Sequence, residues 1–145
     1  MTPVLEPLLR SPRLPLYIAE LNAVMDQERL ARQRFRDELD PSDKGEFING
    51  EVIMHSPARF QHTHVRQLIS VLLHAHVERH RLGWVGGEKV LVGLTRNDFE
   101  PDVLYHGAAK AAEFHPDQLI FPAPDLVVEI LSDSTESRDR GVKLE

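Results

Sequence analysis

No cysteine occurs among the 145 residues, which excludes a disulfide framework and any thiolate zinc site and fits a cytoplasmic protein. Long apolar runs are missing as well. No window approaches the roughly 18 consecutive apolar residues of a membrane span. The apolar start Val4 to Leu9 is cut by Pro3, Pro7, Pro12 and Pro15, so no signal peptide is expected. Positive charge is in deficit, with 17 Lys and Arg against 23 Asp and Glu, a net charge of −6. That argues against indiscriminate attraction to nucleic acid. It does not argue against a nuclease, whose metal-binding carboxylates belong to the negative count. What remains is 16.5 kDa of chain with 41% hydrophobic residues, enough for one compact domain with its own core.

The most informative stretch is Phe121 to Ser132, because it sets one carboxylate, Glu129, inside an apolar run. Leu126 to Leu131 is rich in β-branched residues and bounded by prolines on one side and a Ser/Asp/Ser/Thr cluster on the other. It reads as a strand covered on both faces. On the period of two, Glu129 shares its face with Val127 and Leu131. An ionised carboxylate among aliphatic neighbours costs several kcal/mol unless something meets it, so a basic side chain or a metal ion is required as partner.

Four of the ten prolines fall in residues 1–16, read as an extended arm ahead of a single domain over 17–145. Tyr17, Ile18, Leu21, Val24, Met25, Ala31, Phe35 and Leu39 recur at helical spacing and predict a helix from about Leu16 to Leu39. On its charged side Glu28 and Arg32 are ordered for an i,i+4 pair, and Arg29, Arg32 and Arg36 line up either as phosphate contacts or as a solvated face. Glu46 to Met54 carries Asn49-Gly50 at its centre and predicts a hairpin with a type I′ turn. Ser56-Pro57 then reads as the start of a long amphipathic helix, Arg59 to Arg81, stopped by Gly83. Strands are expected over Trp84 to Leu94 and Phe99 to His106, a short helix within Gly107 to Gln118, and a helix capped by Asp133 with Glu136 three residues on.

Asp125 lies four residues before Glu129, about 13 Å along a strand, too far to share one small cation. Asp102 is the better companion, on a strand that can lie about 4.8 Å from the Glu129 strand. An Asp and a Glu from adjacent strands offer Mg²⁺ what it takes from proteins, one or two carboxylates with positions left for water and phosphate oxygens. Such an ion would activate water and stabilise charge on phosphorus.

Several separate blocks, Glu46 to Val52, Ser56 to Arg59, Thr95 to Asp102, Pro122 to Ser132 and Asp139 to Lys143, resemble the putative restriction endonuclease family abundant in cyanobacteria, within the PD-(D/E)XK nuclease superfamily. The resemblance implies an α/β fold: a restriction-endonuclease-like mixed central sheet flanked by helices, with an N-terminal helix and a β-hairpin. It also implies hydrolysis of DNA phosphodiester bonds with Mg²⁺, or Mn²⁺, held by Asp102 and Glu129. The superfamily's lysine two residues after the second acid would fall at Leu131. The resemblance puts Lys143 in its place as a third catalytic residue. His62, Glu88 and Lys89 are implied or candidate supporting residues. The family's further strand with its Tyr-Trp pair has no counterpart here, so a C-terminally incomplete domain is expected, with an exposed sheet edge that a homodimer would cover.

Two other readings stand beside this one. Eight histidines, with His62 and His64 two apart and His76 and His80 one turn apart, raise zinc, yet no H-E-x-x-H pattern accompanies them. A nuclease fold without catalysis, serving as a nucleic-acid-binding or interaction module, is the alternative function.

Overall fold

A computed structural model describes residues 3–40 and 43–131. Lys143 and the helix expected from Asp133 lie outside the described residues. The described part of residues 1–16 is not an extended arm. A short helix, α1 (Glu6–Leu9), precedes α2 (Leu14–Glu38). Both helices carry a proline in the first turn, where a missing N–H costs nothing.

The hairpin forms as its sequence predicts. β1 (Gly45–Ile48) pairs antiparallel with β2 (Glu51–Met54), Ile48 opposite Glu51. Asn49 (φ 51°) and Gly50 (φ 90°) supply the two positive φ angles of a type I′ turn. The long helix α3 (Phe60–His80) starts later than Ser56-Pro57 suggested, with Arg59 at its N-cap. It is closed by Arg81 in the left-handed conformation, ahead of Gly83.

The two long strands expected next are each broken in two, and this break makes the architecture. β3 (Gly83–Gly87) and β4 (Leu91–Gly93) are separated by a turn in which Lys89 takes φ 66°. β5 (Asp98–Phe99) and β6 (Val103–Gly107) are separated by Glu100-Pro101-Asp102. Proline has no N–H to give a ladder, so the pairing stops there. After α4 (Ala108–Ala111) come β7 (Ile120–Phe121) and β8 (Leu126–Val128). The strands sort into two sheets instead of the single central sheet expected. One is five-stranded and mixed, in the order β2-β1-β5-β4-β7, with β4 and β7 parallel and the hairpin at its end. The other is three-stranded and antiparallel, in the order β3-β6-β8. Together they are a mixed α/β fold with helices against sheets.

Each sheet has its own core. Phe35 of α2 packs with Phe47 and Leu91 on the five-stranded side. Val77 of α3 packs with Val85 and Val103 on the three-stranded side. Gly83 is required where β3 meets β6, because a Cβ there would stand 2.1 Å from the His106 carbonyl oxygen. β8 is shorter and less covered than Leu126 to Leu131 suggested. It is an end strand of its sheet, and Leu126 (45%) and Val127 (43%) are exposed.

Candidate active site

The chain passes from one sheet to the other through Glu100, Pro101 and Asp102, all buried. β6 and β8 pair as Val103 opposite Val128 and Leu104 opposite Val127. Carried one position further, that register sets Asp102 across from Glu129. A hydrogen bond continues the connection, the Ile130 N–H donating to Asp102 Oδ2 at 2.9 Å. The other carboxylate oxygen meets an imidazole and an ammonium group. His62 Nε2, from the first turn of α3, lies 3.0 Å from Asp102 Oδ1, and Lys44 Nζ, from just before β1, lies 3.4 Å away. Asp102 is 4% exposed, and Glu129 is half-buried. Asp102 forms part of the wall of an open cleft of about 290 Å³, shared with Arg66, Gln67 and Ser70 of α3 and with Gly87 and Glu88.

Behind Asp102 is a second buried acidic group that sequence reasoning left largely aside. Glu46 of β1 accepts the Glu100 N–H at Oε1 (3.1 Å). His55 Nε2 stands 3.0 Å from Glu46 Oε2, out of line for a hydrogen bond. Glu100 is 2% exposed, and its Oε2 has no hydrogen-bond partner among the described residues. Burial pushes the Glu100 carboxyl up to about 7. The Glu46 charge pushes the same way, while Lys44, His55 and the Gly45 N–H pull it down. These residues converge only through the β1–β5 pairing and the turn into β6, so nothing in their sequence spacing marks them.

The other residues singled out from the sequence are placed as follows. Glu88 forms an ion pair with Arg66 at the cleft. Lys89 is exposed on the turn between β3 and β4. Arg32 and Arg36 do not form a phosphate-facing row with Arg29. Both point inward to Asp98, which is fully buried, Arg36 at 2.7 and 2.8 Å and Arg32 Nε at 3.0 Å. Burial pushes the Asp98 carboxyl up, but the guanidinium hydrogen bonds and charges outweigh it and hold the group below its ordinary value. Arg32 also donates to the Leu94, Thr95 and Asn97 carbonyls. Arg29 alone stays outside, beside Asp26 at 3.1 Å. The expected Glu28–Arg32 pair is absent, since Glu28 pairs with Arg96 and Arg32 with Asp98. For the histidines, His64 is exposed and stacks on Phe60, and His76 and His80 lie ring to ring at 4.7 Å. Among the described residues, no three His, Asp or Glu side chains form a metal cage.

The family model Uma2, described as "Putative restriction endonuclease", matches residues 28–145. The chain belongs to that family. Its fold is that of a solved structure described as a putative nuclease belonging to DUF820 from Anabaena variabilis ATCC 29413. The TM-score is 0.56 at 17% identity, covering 66% of this chain and 56% of that one. This chain thus spans little more than half the length of that relative. No curated protein matches.

Proposed function

We propose that the chain is a metal-dependent endonuclease that hydrolyses DNA phosphodiester bonds in the cytoplasm, with Asp102 and Glu129 holding Mg²⁺ or Mn²⁺. The observation that carries this reading is the seam itself. Asp102 and Glu129 adjoin the paired Val103 and Val128 of neighbouring strands, and Asp102 is nearly buried and borders a cleft. Their donor chemistry fits the ion. Mg²⁺ is a hard cation that prefers carboxylate oxygen, takes one or two such ligands and keeps its waters, so a cage of three side chains is not needed. When bound, the metal supplies Lewis-acid activation of water and charge neutralisation at phosphorus. The protein's own part is to fix Asp102 by the Ile130 N–H and by His62, and to present Arg66 and Ser70 along the cleft where a phosphate backbone would lie.

The alternative is a nucleic-acid-binding or interaction module of the same fold without catalysis. It draws support from Asp102 Oδ1, which already faces the Lys44 ammonium and the His62 ring. Calorimetric titration with Mn²⁺ and nicking of supercoiled plasmid, on wild type, Asp102→Ala and Glu129→Ala, separate the two. The enzyme reading expects metal uptake and nicking in the wild type and loss of both in each variant. DNA retention with no metal uptake would establish the module instead.

A further inference from the structure

We infer that Lys44 is the metal's stand-in at Asp102, exchanged for the divalent ion when it binds and then turned to the phosphate as the site's working lysine. This deepens the nuclease reading and rests on it. Lys44 does not stand where the superfamily's lysine is expected, after the second acid, since that position is Leu131. The ammonium nevertheless reaches the carboxylate from the segment just before β1, far from Leu131 in the chain.

Four observations support the assignment. The Lys44 side chain is only 21% exposed, so it lies in the fold and not along a solvated face. Its backbone is tied down, the His55 N–H donating to the Lys44 carbonyl at 3.0 Å, which fixes the point from which the side chain emerges. Its Nζ–Oδ1 distance of 3.4 Å is well beyond the roughly 2.7–2.9 Å of a tight charge-assisted bond. Such a contact neutralises Asp102 yet is loose enough to give way. Lys44 also lies close enough to Glu100 to act on its carboxyl. An ammonium released from Asp102 therefore stays in an acidic neighbourhood, next to the one carboxylate of the group that lines the cleft, and is held by a flexible four-carbon stem. Of the other lysines considered, Lys89 is exposed on its turn.

A competing cation and a merely structural one leave different signatures. Exchange predicts that Lys44→Met removes a charge the metal must displace, so Mn²⁺ affinity by calorimetry rises several-fold. Nicking at saturating metal falls about 10²-fold, the scale of one lost transition-state charge contact. Lys44→Arg should keep part of the activity. In the wild type, the NMR signal of the Lys44 ε-methylene should move on Mg²⁺ titration and remain still in Asp102→Ala. Metal affinity that is unchanged or weaker in a Lys44→Met variant of wild-type melting temperature overturns the exchange, as does a Lys44 signal indifferent to metal. If Lys44→Met fails to fold, the wild-type NMR titration decides alone. Wild-type nicking rates in Lys44→Met overturn the phosphate-facing role. Failure of the underlying reading looks different: the wild type then takes up no metal, and the inference falls with it.

Discussion

The two sheets are held by different forces, and the candidate site lies where the chain crosses between them. The five-stranded sheet is joined to α2 by the Phe35 contacts and by buried charge: a fully buried Asp98 receives Arg32 and Arg36, and Glu28 reaches Arg96 in the turn between β4 and β5. The three-stranded sheet is joined to α3 by aliphatic contact through Val77, Val85 and Val103. Its Trp84 and His106 also join an aromatic group with Phe114 and with Phe121 of β7, ring centroids 5.0–6.3 Å apart. In that group His106 is fully buried, its Nε2 2.9 Å from the Pro122 carbonyl oxygen. Apolar packing is roughly proportional to area and tolerant of small displacements, whereas a buried ion pair is directional and costly to leave half-made. The arginine side therefore sets register, and the aliphatic side supplies bulk stability. Asp102, in the segment crossing between them, depends on both.

This contrast can be broken most severely at Asp98. Asp98→Ala leaves two guanidinium groups without their shared carboxylate and should cost about 3–5 kcal/mol by urea denaturation. Because the carboxyl's folded value is depressed, its contribution is present above its ordinary titration range near 3.8 and is lost as pH falls through the lower folded value. The gap between wild type and Asp98→Ala should accordingly narrow in acid. On the other side Leu104, fully buried, offers the apolar counterpart. Leu104→Ala should cost about 2–5 kcal/mol through lost transfer energy and a residual cavity, and the penalty should be indifferent to pH and salt. An equally pH-sensitive Leu104→Ala would erase the distinction between the two sides.

The seam itself is expected to respond to pH in the opposite sense from Asp98. Glu100 binds its proton more tightly in the fold, so its contribution is complete below the ordinary value of 4.5 and is lost as pH rises through about 7. The loss is on the order of 3 kcal/mol between those limits. Glu100→Gln should flatten the stability profile over that window and should be more stable than wild type at pH 8. The smallest effect is expected at the Glu28–Arg96 pair, where the Arg96 side chain is 44% exposed. Glu28→Ala should cost under about 1 kcal/mol, and 0.5 M salt should remove most of it.

Much was determined by local sequence alone. The period of 3.6 in α2 and α3, the Asn49-Gly50 turn and the family blocks, which single out Asp102 and Glu129 as candidates, could all be read without coordinates, because each rests on neighbouring residues. Tertiary structure decided the rest. It bent the chain at Lys89 and at Glu100 to Asp102, so that two expected strands became four in two sheets. Arg32 and Arg36 turned inward because Asp98, 66 and 62 residues away, arrives buried and needs a counter-charge. Lys44, His55 and Glu46 likewise gathered behind Asp102. Their meeting depends on the β1–β5 pairing, a contact between segments far apart in the chain that no local pattern encodes.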